Sequence, residues 1–467
     1  MQVFGRYRFA GAVFVCALAA FAALLALHAY TNTFLDLRAF YCAGGAFAHG
    51  ADPYRNAALR TCEAALGTNV FAGHGFDQPT VPVPWTPYAL PLLALLSMLP
   101  FGAATKAWTV LNFVCLAAAA ALLRSSLPEL SPVAVATFVL FATVPTEAAL
   151  GQPAGLELLA VVAAGTYARR GATSGTCIAL LVAAIQPYVA LPLAVGLLFA
   201  GAAARRAVAL AAIVVAGASL IFLRPLTFEY LTVVAPEHAR ANVFEVTQLS
   251  WTSLLAATGL PADPARALGT AIYIAAIALG VWAGLRLASS TRKPEALPWI
   301  VALLGTLGAP YLHFQQLAGA LPGALVVVAT TSAATRATAI GLFVPWIGLL
   351  LQAKYSYAFV PFAAPMAWRR RPPQRAAQLA LLAFVLVCVD LALAAFFRVH
   401  VVNPAGYRNP PLAADAFADD SWRAFIAVQW AALGTSSLAA RAVSAISGLV
   451  LTGLTIAAAR AHRIRAR

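Results

Sequence analysis

The chain contains 467 residues, of which 62% are hydrophobic and 10% are charged. A water-soluble domain carries about 25% charged residues. The composition of this chain therefore excludes a water-soluble protein and indicates one that lies in a lipid bilayer. The formal net charge is +15. The basic residues lie in short clusters between apolar runs, which is typical of membrane topology signals and not of a nucleic-acid-binding surface.

About fifteen apolar segments follow one another along the chain, and the longest reach the roughly 20 residues that a helix needs to cross about 30 Å of hydrocarbon. The first, at 9–30, is predicted to be a retained anchor and not a cleaved signal peptide. The second, at 85–100, is interrupted by prolines and is predicted not to cross. The others are 104–123, 131–150, 152–168, 173–186, 188–201, 207–223, 267–287, 297–312, 314–330, 337–352, 355–368, 376–397 and 436–458.

Basic clusters between these segments predict the topology, because Lys and Arg concentrate on the cytoplasmic side of a membrane. Placing Arg169/Arg170, Arg205/Arg206 and Arg292/Lys293 in the cytoplasm predicts an all-α, polytopic bundle of about 12–14 crossings. Residues 1–467 then form a single membrane domain with both termini in the cytoplasm. The predicted location is the plasma or inner membrane.

Three loops are long enough to hold a functional site, at 31–84, 224–266 and 398–435, and all three are predicted to be extracytoplasmic. In the first, the apolar residues from Asp36 to Phe47 recur every three to four positions, which predicts an amphipathic helix on the membrane interface. Cys42 and Cys62 share this loop, so a disulfide could form between them if it is extracytoplasmic; the sequence leaves the pairing open.

Asp36 is the candidate catalytic residue of the first loop. It lies about six residues beyond the first apolar segment, where a carboxylate can face a cavity at the membrane surface and act as a general base. Burial would raise its pKa and the nearby Arg38 would lower it. The structural alternative is that Asp36 caps the N-terminus of the predicted helix.

Several short motifs resemble those of one enzyme family. The run Asp36-Leu37-Arg38-Ala39-Phe40-Tyr41-Cys42-Ala43-Gly44-Gly45-Ala46, followed by Gly50-Ala51-Asp52-Pro53-Tyr54, is similar to the first outer loop of glycosyltransferase family 87, polytopic enzymes of the C-type superfamily. Further similar elements are Pro84-Trp85-Thr86-Pro87-Tyr88, Leu150-Gly151-Gln152-Pro153, Ala184-Ile185-Gln186-Pro187, Gln248-Leu249-Ser250 and Ala309-Pro310-Tyr311-Leu312-His313. Two positions depart from the family pattern: Gln186 replaces a lysine, and Gln315 and Gln316 lie where an acidic residue is expected.

The resemblance implies a membrane hexosyltransferase, similar to mannosyltransferases. Such an enzyme transfers a sugar from a polyprenyl-phosphate donor to a lipid or cell-envelope glycan acceptor at the extracytoplasmic face, with inversion. Asp36 would be the general base. The predicted substrate-binding residues are Arg38, Tyr41, Asp52, Tyr54, Gln152, Arg224, His313 and Lys354. Among them, Arg38, Arg224 and Lys354 are cations predicted to lie on the outer side, where they are suited to the phosphate leaving group. No cofactor, metal site or nucleic-acid partner is predicted.

Two other classes of protein fit the same composition. A transporter or flippase of a lipid-linked or small solute is also a bundle with proline-broken helices and few intramembrane carboxylates. Its site, however, would lie at the membrane midplane, whereas the candidates here cluster at the outer surface. A non-catalytic envelope scaffold is contradicted only by the residues around Asp36.

Overall fold

The computed structural model describes residues 34–66, 80–130, 150–245, 248–330, 415–433 and 438–464, together with 132, 135, 136, 139 and 413. These residues are helical apart from their connections and one isolated antiparallel bridge between Arg55 and Phe417. The helices are α1 (Leu35–Ala48), α2 (Asn56–Ala65), α3 (Leu90–Ser97), α4 (Phe101–Ser126), α5 (Ala154–Arg169), α6 (Thr173–Ala183), α7 (Pro187–Leu198), α8 (Ala202–Gly217), α9 (Arg224–Glu229), α10 (Ala235–Ala241), α11 (Trp251–Ala257), α12 (Ala262–Thr291), α13 (Ala296–Gly308), α14 (Leu317–Thr330), α15 (Ala418–Leu433) and α16 (Leu438–Ile464). The prediction of an all-α chain is confirmed for this part of the protein.

Three of the described helices are long and apolar enough to cross a membrane: α4, α12 and α8 with its π-helical extension to Phe222. They cover the predicted segments 104–123, 267–287 and 207–223. The segments 9–30, 337–352, 355–368 and 376–397, and most of 131–150, lie outside the described residues. The predicted number of crossings and the positions of the termini therefore remain predictions.

A second group of apolar helices is shorter. Helices α5, α6, α7, α13 and α14 contain 16, 11, 12, 13 and 14 residues. At about 1.5 Å per residue they extend roughly 17–24 Å, less than the ~30 Å of hydrocarbon in a bilayer. The segment predicted not to cross, 85–100, likewise contains only the short helical stretch Pro87–Ser97.

The ends of α4 and α5 and the start of α13 lie together at one basic end of the bundle. Arg169, the last residue of α5, binds the buried carboxylate of Glu295 at 3.0 Å, just before α13 begins. Lys293 pairs with Glu129 and donates to the carbonyl of Ser126 at 3.0 Å, next to the end of α4. Two of the basic clusters used to predict the topology therefore lie at the same end of the bundle, as the positive-inside rule requires.

Close packing joins α5 to α13 in the centre of the bundle. The fully buried Trp299 donates from Nε1 to the carbonyl of Val161 at 3.0 Å. Its indole lies against Gly165, where any side chain would overlap the ring. Lipid is as apolar as these side chains, so small residues that let helices approach closely contribute more here than the hydrophobic effect does.

The three loops predicted to be extracytoplasmic pack together into one layer, which we call the cap and define as α1, α2, α9, α10 and α15. Arg55 binds Asp52 at 2.9 Å and also pairs with Glu229 of α9. The backbone amide of Asn56 donates to the carbonyl oxygen of Ala416 at 2.8 Å, and the backbone amide of Ala418 donates to the carbonyl oxygen of Tyr54 at 3.0 Å. The loops thus lie on one side of the bundle; that this side is extracytoplasmic remains a prediction.

The cap contains a disulfide between Cys42 of α1 and Cys62 of α2. The sequence had left this pairing open. The bond closes a chain segment with a sequence separation of 20 residues and fixes α2 against the buried face of α1. It thereby restrains the helix that carries Asp36.

Candidate active site

A cavity of about 290 Å³ lies between the cap and the ends of the short helices. This is near the lower end of the roughly 300–1,000 Å³ of small-molecule sites. Its wall combines apolar residues such as Phe40, Trp85 and Ile185 with a set of polar side chains. The polar lining residues are Asp36, Gln152, Gln186, Tyr188, His238, Asn242, Glu245, Tyr311, His313, Gln315, Gln316 and Gln429.

Helix ends place many of these polar groups at the cavity. Gln152 immediately precedes Pro153 and α5, and Gln186 precedes Pro187, the first residue of α7. Proline suits the first position of a helix, because a backbone N–H there would have no acceptor within the helix and proline lacks that N–H. Tyr311 and His313 follow the end of α13. The short length of these helices therefore sets the depth of the cavity.

Asp36 contacts Gln152 across the cavity wall. The Gln152 side chain donates from Nε2 to Asp36 Oδ2 at 2.5 Å. The contact depends on Gly151, which has a φ of +73° and lies against Leu37, so that a side chain there would be both strained and obstructed. The capping alternative for Asp36 does not describe this geometry, because the N-cap of α1 is Phe34 and no side chain caps the helix.

The electrostatics of Asp36 differ from those of an ordinary surface carboxylate. Burial raises its pKa to about 6, while the hydrogen bond from Gln152 and the charge of His313 act in the opposite direction. The residue is only partly shielded and faces the cavity. A carboxylate with such a pKa, hydrogen-bonded to a neutral amide, can accept a proton near neutral pH.

His313 also lines the cavity and lies in a network of hydrogen bonds. Its Nε2 is 3.2 Å from Glu245 Oε2 and 3.3 Å from the amide nitrogen of Gln248. Gln248 also accepts from the backbone amide of Leu312 at 3.0 Å, and Gln316 accepts from that of His313 at 2.9 Å. The imidazole is therefore held in one orientation by elements that precede α11 and α14.

A second histidine, His238 of α10, joins two of the predicted outer loops. Its Nδ1 is 2.6 Å from Asp419 Oδ1 at the start of α15, and both side chains are buried. Its Nε2 is 3.4 Å from the hydroxyl of Tyr311, and the Asn242 amide lies within 3.2 Å of the ring nitrogens. The cavity thus contains one carboxylate suited to proton transfer and two buried imidazoles, each held by a carboxylate.

Comparison with known proteins identifies the chemistry. Residues 83–310 match the sequence model of glycosyltransferase family 87. This match, which spans just under half of the chain, supports a glycosyltransferase. No curated protein and no solved structure matches it. The matched region contains Gln152, His238 and Glu245, whereas Asp36, His313 and α15 lie outside it.

Of the residues predicted for this glycosyltransferase, the structure brings Asp36, Gln152 and His313 together at the cavity. Lys354 lies outside the described residues. Arg224 is exposed at the start of α9 and lies 5.8 Å from the centroid of the Phe228 ring, away from the cavity.

The other predicted residues of the first loop make structural contacts and do not line the cavity, so their part in substrate binding remains a prediction. Arg38 donates to the carbonyl of Leu66 at 3.0 Å, and the Tyr41 hydroxyl donates to that of Leu99 at 2.9 Å. Asp52 accepts from the backbone amide of Tyr54 at 2.9 Å and binds Arg55. The Tyr54 hydroxyl is buried and donates to the carbonyl of Trp85 at 2.9 Å. In each case a nearby backbone or charged group binds the side chain.

The glycosyltransferase cavity also contains residues that sequence reasoning missed, namely His238, Asn242, Glu245 and Gln429. His238 and Glu245 lie in the loop predicted at 224–266, and Gln429 lies in that at 398–435. The acidic pair Asp419 and Asp420 is the signal for this part of the site in the sequence, because Asp419 orients His238.

Proposed function

We propose that this glycosyltransferase is a multi-pass protein of the plasma or inner membrane that transfers a hexosyl group, mannosyl-like in class, from polyprenyl phosphate. The acceptor is a hydroxyl group of a lipid or cell-envelope glycan at the extracytoplasmic face. The observation that carries the proposal is the Asp36 carboxylate, which faces the cavity and is hydrogen-bonded to Gln152 instead of to a cation.

In the proposed reaction, Asp36 accepts the proton of the acceptor hydroxyl as that oxygen attacks the anomeric carbon. The new carbon–oxygen bond forms as the bond to the phosphate oxygen breaks, and its electron pair leaves with polyprenyl phosphate. One displacement inverts the anomeric configuration. A pKa of about 6 suits this step, because a general base is most effective when its pKa is near the working pH.

The leaving phosphate requires positive charge or hydrogen-bond donors. Within the described lining, the basic side chains are His238 and His313, and no lysine or arginine contributes. We therefore assign the phosphate to the two imidazoles instead of to the predicted Arg38 and Arg224. Gln186, which replaces the lysine of the family pattern, is consistent with this assignment.

Two features support the membrane location and the outer face. The short helices extend from the basic end over less than the hydrocarbon thickness, which favours a cavity near the depth of a donor whose prenyl chain lies in the bilayer. The Cys42–Cys62 disulfide favours an oxidising compartment for the cap, because thiols are kept reduced in the cytosol.

The test uses purified protein in lipid nanodiscs with polyprenyl phosphate that carries mannose, glucose or arabinose, and with envelope lipid acceptors. We expect wild type to transfer a hexose and Asp36→Asn to lower the rate by about 10²–10⁴-fold, the usual contribution of a general base. Asp263→Asn is the matched control, since Asp263 is an exposed carboxylate that binds only Arg266 within α12.

Equal rates for wild type and Asp36→Asn would remove Asp36 from the mechanism. If wild type moved a solute or a lipid-linked sugar across vesicle membranes without transferring the sugar, the transporter or flippase alternative would replace the proposal.

A further inference from the structure

The cavity contains two buried amide groups that the reaction described above does not use. Gln315 is 8% exposed and Gln429 is 1% exposed, and both line the cavity. Gln315 Oε1 and Gln429 Nε2 have no hydrogen-bond partner within the described part of the chain. A buried polar group without a partner destabilises the protein, so a ligand that pairs with it recovers part of that free energy.

Gln429 is placed by the packing of α15. Trp422, Phe425, Ile426 and Gln429 follow one another at intervals of three, one and three residues and all line the cavity, so they form one face of the helix. Among these four residues, Gln429 is the one with a side-chain amide, and Trp422 adds an indole N–H. The N-terminal end of α15 is fixed by the contact of Asp419 with His238 at 2.6 Å.

Gln315 approaches from a different element, the 3₁₀ turn Phe314–Gln316 before α14. Three other amides of the lining already have partners: Gln152 binds Asp36, Asn242 binds His238, and Gln316 binds the backbone of His313. Gln315 and Gln429 therefore offer one acceptor and one donor to the contents of the cavity. A sugar hydroxyl both donates and accepts, so it can pair with either atom.

We propose that Gln315 and Gln429 form the subsite that binds the hydroxyl groups of the donor's monosaccharide, and that this sugar is uncharged. The proposal rests on the proposed transfer from polyprenyl phosphate. The small cavity volume favours one sugar with its phosphate over an oligosaccharide. A sugar that carries a carboxylate would enter a wall that already contains Asp36 and Glu245, where like charges repel.

Equilibrium binding tests the subsite without requiring turnover. Protein in nanodiscs is titrated with polyprenyl phosphate, with the same lipid bearing an uncharged hexose, and with that bearing a hexuronic acid. We expect wild type to prefer the hexose-bearing lipid over both others. Gln315→Met and Gln429→Met, which keep the side-chain length but remove the amide, should each weaken hexose-lipid binding by roughly two- to tenfold, the range for one neutral hydrogen bond.

Sugar-free polyprenyl phosphate is the internal control, because it does not reach the subsite and should bind both variants as it binds wild type. Equal losses for the sugar-bearing and sugar-free lipids would assign the glutamines a structural role and overturn the proposal. Unchanged binding of the hexose lipid by both variants, or tighter binding of the hexuronate by wild type, would overturn it as well.

The transfer assay separates this inference from the proposed function. If wild type binds the hexose lipid through the two glutamines but transfers nothing to any acceptor, the proposed function fails and the subsite stands. If wild type transfers hexose with dependence on Asp36 while Gln315→Met and Gln429→Met keep the wild-type KM for the donor, the subsite fails and the proposed function stands.

Discussion

Replacing Asp36 with Asn is expected to stabilise the protein while it removes activity. The ionised carboxylate is held in a site that disfavours charge, as the rise of its pKa from 3.8 to about 6 indicates. Asn has nearly the same shape, and its side-chain oxygen can still accept the hydrogen bond from Gln152. The substitution therefore removes the buried charge and keeps the contact.

The magnitude follows from the pKa. A rise from 3.8 to about 6 corresponds to about 2–3 kcal/mol, at about 1.36 kcal/mol per pKa unit. Because the folded protein binds this proton more tightly than the unfolded chain does, ionised Asp36 lowers the free energy of unfolding above pH 6. The cost disappears as the pH falls through 6 towards 3.8, where both states bind the proton.

The assay is thermal unfolding of wild type and Asp36→Asn in detergent between pH 4 and pH 8, paired with the transfer rate. We expect the variant to be more stable than wild type at pH 7.5 and the difference to vanish near pH 4. The wild-type rate should fall as the pH drops below about 6, since a protonated base cannot accept the acceptor's proton. A variant that is less stable than wild type at pH 7.5 would show that Asp36 serves the fold, and the reasoning would be refuted.

Three further predictions concern the surroundings of this carboxylate. Gln152→Leu removes a hydrogen bond that lowers the pKa of the Asp36 carboxylate, so the acidic limb of the pH–rate profile should move to higher pH; an unmoved limb would contradict the assigned contact. Replacing Cys42 and Cys62 with Ser should lower the free energy of unfolding by about 3 kcal/mol, the value for a loop of this length, and reductant should have no further effect on that variant; equal stability of variant and oxidised wild type would contradict it. His238→Gln should raise the KM for the donor by about tenfold, as expected for a lost contact to a charged phosphate. His49→Gln is the control and should leave the KM unchanged, because His49 is exposed and its ring contacts the carbonyl of Gly45. Equal KM values for the two variants would remove His238 from the phosphate site.

Local pattern was sufficient to predict the apolar helices and the helix that carries Asp36. The predicted helix from Asp36 to Phe47 corresponds to α1. The proline-interrupted segment 85–100 contains the short helical stretch Pro87–Ser97, and that it does not cross the membrane remains a prediction. These features depend on residues within one or two turns of each other, which a hydropathy pattern records directly.

Local pattern was less successful for the cations. Arg38 and Arg224 were predicted at the phosphate because each lies beside the outer end of an apolar segment. The structure gives them other contacts: Arg38 binds the carbonyl of Leu66, and Arg224 lies exposed near Phe228. A charged side chain near a helix end can be satisfied by any neighbouring carbonyl or ring, and sequence does not say which neighbour the fold provides.

The sequence by itself therefore determined that the chain is helical, that it is suited to a bilayer and that polar residues interrupt its apolar segments at particular points. Only the tertiary structure decided which of those interruptions meet. Asp36 and Gln152 are 116 residues apart, and His238 and Asp419 are 181 residues apart. Their meeting depends on the lengths and packing of helices that are not adjacent in the chain, and on a glycine that lets Gln152 approach α1, and neither follows from a periodicity measured along one segment.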